Sequence, residues 1–156
     1  MLDLDLPEIQ EVDLNKIIRA KLLAATKAHD GDLIVEDVSL EFAAIAPLPG
    51  PLIKWFLKTM GNQGLYDFAE KLDSQKAINK VMIGYYKAAS QQMHFFESSF
   101  PGMIVAPRGN LDFGWGPNFQ PEGSQKTYGE MEKSEKEKFS PRFAALKKLQ
   151  EYLNAG

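Results

Sequence analysis

The stretch AINKVMIGYYKAA, residues 77–89, followed by QQMHFFES, residues 91–98, decides the fold of this chain. Both runs are rich in valine, isoleucine, tyrosine and phenylalanine, which are typical of strands. We predict two antiparallel strands joined by a turn near residues 88–91. A further strand is predicted over residues 103–106, and a long glycine- and proline-rich loop over residues 107–123.

Toward the N-terminus, strand and helix patterns alternate. Residues 2–6 alternate leucine with aspartate, which is typical of a half-buried strand. Asp13 can cap a helix, and apolar side chains at helical spacing predict that this helix runs to about His29. The apolar run of residues 33–35 then predicts a short buried strand that ends at two carboxylates.

The rest of the chain has mainly helical patterns. Residues 52–60 and 63–72 predict two helices after a proline-rich loop, and residues 135–139 predict a short helix capped by Ser134. Pro141 begins the last predicted helix. Its apolar side chains are predicted to share one face: Phe143, Leu146, Leu149 and Leu153.

The composition is that of an ordinary globular domain. With 156 residues and alternating helix and strand patterns, it predicts one α/β domain, residues 1–156, with a mixed sheet and flanking helices. No cysteine is present, which excludes disulfides, zinc–thiolate sites and a cysteine nucleophile. A net charge of −3 gives no general attraction to nucleic acids or anionic membranes. Prolines interrupt the most apolar stretch, residues 42–57, so we predict no membrane span and expect a cytoplasmic protein.

Two carboxylates, Glu36 and Asp37, directly follow the predicted buried strand. Strand ends line the ligand crevice in open α/β sheets, and adjacent carboxylates there are costly unless a cation binds them. Mg²⁺ fits this role, since it takes a few carboxylates together with phosphate oxygens. Glu8 follows the strand at residues 2–6 and would share the metal if the two strands run parallel. The alternative is that Asp37 caps a turn and that Glu8 is solvated.

A glycine-rich loop holds an aromatic pair, Phe113 and Trp115, which could clamp a flat base by stacking. The alternative is an ordinary loop in which one of these rings fills the core. Lys136 and Arg142 could meet an anionic or keto-bearing ligand, although the mixed charges around them are also typical of a solvated face.

Six motifs occur along the chain in a characteristic order. They are LPEIQ (6–10), VED (35–37), LPGPLIKWFL (48–57), IVAPRG with FGW (104–109 and 113–115), TYGEM (127–131), and EK with SPR (135–136 and 140–142). In these residues and in their order, the sequence resembles the inosine triphosphate pyrophosphatase family, and the resemblance covers essentially the whole chain.

The resemblance implies an α/β fold with a long mixed sheet, two lobes around a nucleotide cleft, and a homodimer. It implies Mg²⁺-dependent hydrolysis of inosine, deoxyinosine and xanthosine triphosphates to the monophosphate and pyrophosphate. The metal carboxylates would be Glu8 and Asp37, with Glu36 in support of catalysis. The other site residues would contact the substrate: Lys21 and Lys136 its phosphates or base end, Phe113, Gly114 and Trp115 its base, and Arg142 the keto edge of that base.

The chain also departs from the family pattern. It begins after the family's first strand, its phosphate-wrapping Thr-Gly-Asn loop and the helix that follows. Gly116 stands where the family has an aspartate, and Pro141 stands where it has a histidine. We therefore expect an altered choice of base. The alternatives are a family member that binds a nucleotide or a protein without catalysis, and a fragment of a longer enzyme.

Overall fold

Five strands and four α-helices make up the described part of the chain, which is residues 6, 8–112 and 114–155 of a computed structural model. The strands are β1 (Leu33–Phe42), β2 (Pro49–Gly50), β3 (Lys76–Lys87), β4 (Gln92–Ile104) and β5 (Phe119–Pro121). The helices are α1 (Leu14–Ala25), α2 (Ile53–Ala69), α3 (Lys133–Glu137) and α4 (Pro141–Ala155). Short 3₁₀ turns lie at Ala43–Ile45 and Gly116–Asn118.

The hairpin of β3 and β4 is the centre of the sheet. Its register runs from Lys87 opposite Gln92 to Lys76 opposite Met103, which confirms the predicted pair of strands and their turn. The separate strand predicted at 103–106 is wrong. Strand β3 pairs with β4 as far as Met103, and β4 ends at Ile104. The first two residues of the predicted strand are therefore the end of β4.

The sheet has the order β2-β1-β3-β4-β5, and every pairing among the described strands is antiparallel. The α/β class with flanking helices is confirmed. The strand predicted at residues 2–6 lies outside the described residues except for Leu6, which is in no strand. Its parallel pairing, which would make the sheet mixed, therefore stays a prediction.

Strand β1 is longer than the sequence predicted. It pairs residue by residue with β3 over its whole length, from Leu33 opposite Tyr86 to Phe42 opposite Ala77. The predicted end at residue 35 is therefore wrong, because the ladder to β3 continues through the carboxylates that follow. Those carboxylates lie within a strand and do not follow its end.

Helix α1 packs on one face of the sheet and begins as predicted, with the side chain of Asp13 accepting a hydrogen bond from the Asn15 amide. Its residues Ile18 and Leu22 are fully buried. They reach the sheet over Gly84 of β3, where an added Cβ would lie 2.4 Å from Cγ2 of Ile18. The close approach of helix and strand therefore depends on the missing side chain at this position.

Helix α4 packs on the opposite face, against Val81 and Ile83 of β3. It begins at Pro141 as predicted, but its buried residues are Pro141, Ala145 and Leu149. The predicted apolar face is therefore wrong at three of its four positions, because the small Ala145 lets the helix approach the sheet along a different line. The three exposed side chains are Phe143, Leu146 and Leu153.

The other helices follow the predictions in outline. The break between the two helices predicted at 52–60 and 63–72 is present as Gly61, whose non-helical φ of 67° kinks α2. Helix α3 begins one residue before Ser134, and no side chain caps it. No helix in the described part of the chain is both long enough and apolar enough to cross a membrane.

We predict that Gly84→Ala destabilises the fold by about 1–3 kcal/mol, because the added methyl group would overlap with α1. Chemical denaturation followed by circular dichroism measures this change. Lys76→Ala, at an exposed position of the same strand, is the control and should change stability by less than about 0.5 kcal/mol. Equal stability of Gly84→Ala and the wild type would contradict the packing described here.

Candidate active site

The carboxylates of β1 point to opposite faces of the sheet. Successive side chains alternate along a strand, so Glu36 and Asp37 cannot act side by side as a pair at a strand end. Asp37 faces α1, where it meets Lys21, and Glu36 faces α4, where it meets Arg142. The site is therefore built around the middle of β1, with one carboxylate on each side.

On the α1 side, two carboxylates and two ammonium groups form a charged cluster. The Nζ atom of Lys21 donates a hydrogen bond to Oδ1 of Asp37 at 2.7 Å and lies 3.8 Å from Oε1 of Glu8. Glu8 also forms an ion pair with Lys54, the lysine of the IKWF segment. These four side chains line a cavity of about 90 Å³, which we call the charged cavity.

Lys21 is the best enclosed member of this cluster. Its side chain is only 11% exposed, and its Nζ atom also donates to the carbonyl of Glu36 at 3.4 Å. An ammonium group is costly to bury unless opposite charges and acceptors surround it, and the two carboxylates meet that need here. The cluster therefore holds Lys21 fixed beside β1.

The donor set of the charged cavity suits a hard divalent cation. Glu8 and Asp37 supply carboxylate oxygens on the same cavity, which are the ligands that Mg²⁺ takes in small number beside phosphate oxygens. Within residues 6, 8–112 and 114–155, no three His, Cys, Asp or Glu side chains group into a metal site. A divalent cation bound by Glu8 and Asp37 would therefore need further ligands, such as phosphate oxygens.

On the α4 side, Arg142 forms bidentate hydrogen bonds with the carboxylate of Glu36. Its Nε atom lies 2.8 Å from Oε2, and its Nη2 atom lies 2.7 Å from Oε1. Such bidentate pairs fix orientation as well as supply energy. Glu36 therefore positions the guanidinium group at the start of α4.

Beside this pair lies a cavity of about 190 Å³, which we call the aromatic cavity. Its wall includes Trp115, whose ring lies 5.7 Å from that of Phe119 in an edge-to-face arrangement. Gly114 also lines it, in a left-handed conformation with φ of 57°. The predicted partner of Trp115, Phe113, lies outside the described residues.

Lys136 supplies a second cation to the aromatic cavity. Its Nζ atom lies 5.1 Å from the centre of the Tyr128 ring, a cation–π distance. Burial, reinforced by the positive charge of Arg142, lowers the pKa of Lys136 to about 8. The structure therefore brings Lys136, Arg142 and Trp115 to one cavity, and their contacts with a base stay predictions.

Two asparagines that the sequence analysis did not single out support this loop. Asn118 is fully buried and donates to the carbonyls of Asn62 at 3.0 Å and Val105 at 3.1 Å. Asn62 in turn donates to the carbonyl of Gly114 at 2.8 Å. An asparagine in a glycine-rich loop is an ordinary turn residue, so the sequence carries no signal for this bridge to α2.

The IVAPRG and TYGEM motifs hold each other by backbone contact. Gly109 has a φ of +84°, and an added Cβ would lie 2.2 Å from the carbonyl carbon of Gly129. The hydroxyl of Thr127 donates to the carbonyl of Arg108 at 2.9 Å. These two segments are therefore scaffolding for the aromatic cavity, and both glycines are required by the close approach.

Sequence comparisons match the chain to a single protein family and to its curated members. The Ham1 family matches residues 1–152. An inosine triphosphate pyrophosphatase of Schizosaccharomyces pombe is 39% identical over 153 residues, which are 98% of this chain and 81% of the relative. One from Mycosarcoma maydis is 42% identical over 151 residues, which are 97% of this chain and 78% of the relative.

Solved structures show the same fold. The Ham1 protein of Staphylococcus aureus matches with a TM-score of 0.85 at 23% identity, covering 98% of this chain and 82% of that one. A HAM1 protein of Coxiella burnetii matches with a TM-score of 0.83 at 22% identity, covering 97% and 82%. This chain belongs to the Ham1 family. The predicted enzyme class, a nucleoside triphosphate pyrophosphatase, is confirmed by the names of its curated relatives.

The environment of Lys136 can be tested without a ligand. Arg142→Gln should raise the pKa of Lys136 above about 8, because it removes a nearby positive charge while leaving the lysine buried. Titration of the lysine Cε signal by NMR measures the shift. Arg19→Gln on α1, on the other face of the sheet, is the control and should leave the midpoint in place. A midpoint that stays near 8 in Arg142→Gln would contradict the assigned cause.

Proposed function

We propose that the chain hydrolyses inosine, deoxyinosine and xanthosine triphosphates to the monophosphate and pyrophosphate, with Mg²⁺ bound by Glu8 and Asp37. One observation carries the proposal: consecutive residues of β1, Asp37 and Val38, line the charged cavity and the aromatic cavity. A nucleotide has the same division, with a charged polyphosphate at one end and a flat base at the other. The names of the curated relatives support this choice of substrate.

At the phosphate end, this chain supplies cations to bind and orient the substrate. Lys21 and Lys54 both line the charged cavity and now pair with carboxylates there. Phosphate oxygens can take over those contacts without leaving the ammonium groups unpaired. Glu8 and Asp37 would hold Mg²⁺, which when bound would supply positive charge to stabilise the phosphate groups.

The reaction needs a water molecule in line with the bond that breaks. Phosphoryl transfer is catalysed mainly by positioning and by electrostatic stabilisation. Asp37 is the carboxylate of β1 on the charged cavity, and it orients the attacking water and accepts its proton. Glu36 does not reach this cavity, because it is held by Arg142 on the other face. Its part is to position Arg142.

At the base end, Trp115 offers a ring for stacking, and Lys136 and Arg142 offer hydrogen-bond donors to a keto oxygen. Pro141 and Gly116 both line the same cavity. Neither supplies a side-chain hydrogen bond where the family has histidine and aspartate, so this chain must discriminate bases with other groups. The cytoplasmic location and the homodimer stay predictions.

The proposal predicts pyrophosphate release from inosine and xanthosine triphosphates that requires Mg²⁺. Asp37→Asn should lower the rate on the order of 100-fold, because the amide neither holds the metal as well nor accepts a proton. A coupled pyrophosphate assay measures both effects. Asp67→Asn, at an exposed position of α2, is the matched control.

Two results would contradict this proposal. One is the absence of pyrophosphate release from all of the inosine, xanthosine, guanosine, adenosine and deoxyuridine triphosphates. The other is full activity of a folded Asp37→Asn variant. Nucleotide binding without turnover would instead support the binding module that the sequence left open.

Stacking on Trp115 predicts a fluorescence change. A non-hydrolysable inosine triphosphate analogue should quench the wild type more than Trp115→Phe, because Trp55 is then the remaining tryptophan and lies outside the aromatic cavity. Titration at a fixed Mg²⁺ concentration gives the amplitude. Trp55→Phe is the reciprocal control and should keep the quenching. Equal amplitudes in wild type and Trp115→Phe would rule out stacking at Trp115.

A further inference from the structure

A buried amide on β3 lines the aromatic cavity and has one polar atom without a hydrogen-bond partner among the described residues. Asn79 is 4% exposed and lines the cavity beside Trp115 and Lys136. Its Nδ2 atom donates to the hydroxyl of Tyr128 at 3.3 Å. Its Oδ1 atom is buried and has no hydrogen-bond partner in the part of the chain that the structure describes.

The orientation of this amide is fixed by its neighbour. The hydroxyl of Tyr128 donates its single proton to the carbonyl of Phe139 at 2.7 Å. Towards Asn79 the Tyr128 oxygen can therefore only accept, so the amide nitrogen must face it. The oxygen of Asn79 is left as a hydrogen-bond acceptor and not as a donor.

An unused buried acceptor needs a reason. Burying such a group without a partner destabilises the folded state, and most buried polar atoms in native proteins are paired. Asn79 lies between Ile78 and Lys80 on a strand where an apolar residue would pack at no such cost. A ligand that donates a hydrogen bond within the cavity would remove the penalty.

The hydrogen-bond donors and acceptors of the aromatic cavity determine which edge of a nucleobase can bind there. Lys136 and Arg142 are donors only, whereas Oδ1 of Asn79 is an acceptor. A base edge that carries a keto oxygen next to a ring N–H complements this set. Hypoxanthine, xanthine, guanine and uracil have that edge. Adenine and cytosine have the reverse, an amino donor next to a ring acceptor.

We propose that Oδ1 of Asn79 accepts a hydrogen bond from the ring N–H next to the keto group of the base, and so helps to select keto bases. The inference rests on the proposed function, because it places the base in the aromatic cavity. Asn79 is then a specificity-determining residue. It takes over part of the discrimination that neither Gly116 nor Pro141 can supply through a side-chain hydrogen bond.

The test compares inosine triphosphate with 1-methylinosine triphosphate, which keeps the keto oxygen and lacks the ring N–H. Wild type should favour the unmethylated substrate in kcat/KM, and Asn79→Val should narrow that ratio by roughly tenfold or more. Asn79→Leu, which keeps two atoms in the places of Oδ1 and Nδ2, should narrow the ratio in the same way, so extra room for the methyl group would not explain the effect. Asn79→Asp keeps an acceptor and should keep the ratio within about threefold of wild type.

Controls separate this role from a structural one. Ile78→Val, on the neighbouring residue whose side chain lies on the other face of β3, should leave the ratio unchanged. If Asn79→Val does not fold, as judged by its melting temperature, Asn79→Leu replaces it. An unchanged ratio in the apolar variant would overturn the inference and leave Asn79 as a support for Tyr128. A ratio that narrows equally in Asn79→Asp would also overturn it.

The proposed catalytic activity and base recognition by Asn79 can be tested independently. If wild type releases no pyrophosphate from either substrate, the same ratio is measured as dissociation constants by calorimetry. A ratio that narrows in Asn79→Val and persists in Asn79→Asp would support base recognition by Asn79 in a protein that binds without catalysis. The inference would be overturned if the ratio of dissociation constants is the same in Asn79→Val and wild type, or if wild type binds neither nucleotide.

Discussion

The antiparallel pairing of β1 with β3 is the constraint on which the site depends. Its register places Leu40 opposite Asn79 and Val38 opposite Val81. Because side chains alternate along both strands, this register sends Asp37 to one face and Asn79 to the other. A slip of β1 by one residue would turn Asp37 away from Lys21 and towards the face of the aromatic cavity. The fold therefore places the two cavities on opposite faces of the same strand, as the proposed binding of a nucleotide by both requires.

Compensation of charge is the second theme of the site. Asp37 meets Lys21 of α1, and Glu36 meets Arg142 of α4, so these two adjacent carboxylates of β1 take their cations from different helices. An unpaired charge within a β-sheet would be costly. Because each of these carboxylates has a cationic partner, both can lie in the middle of β1. They also hold the cations in fixed positions, which would reduce the ordering cost of binding the proposed nucleotide.

Local patterns predicted much of the fold. The hairpin at 77–98 and α1 were found because their alternating and helical spacing is confined to one segment. The length of β1 could not be found in this way. Its carboxylates suggested a strand end, whereas the partner of Glu36 lies 106 positions further along the chain. Similarly, the buried face of α4 depends on the close approach of Ala145 to β3, which no pattern of large apolar residues reveals.

The motifs predicted a set of candidate site residues but not how these residues divide between the two faces of the sheet. Lys21 and Asp37 line the charged cavity, and Trp115, Lys136 and Arg142 line the aromatic cavity, while their contacts with a substrate stay predictions. The motifs gave no reason to consider Asn79, since a single polar residue in a strand pattern has no distinctive spacing. Its role emerges only from the unpaired oxygen and from the hydrogen bond that fixes its neighbour Tyr128.

The most direct test of the account is to run the reaction in oxygen-18-labelled water with Mg²⁺ and inosine triphosphate, and to locate the label by mass spectrometry. Attack by water at the α-phosphorus predicts that the label enters inosine monophosphate, with one unlabelled pyrophosphate released per turnover. Label in free phosphate, with inosine diphosphate as the other product, would contradict the proposed pyrophosphatase chemistry.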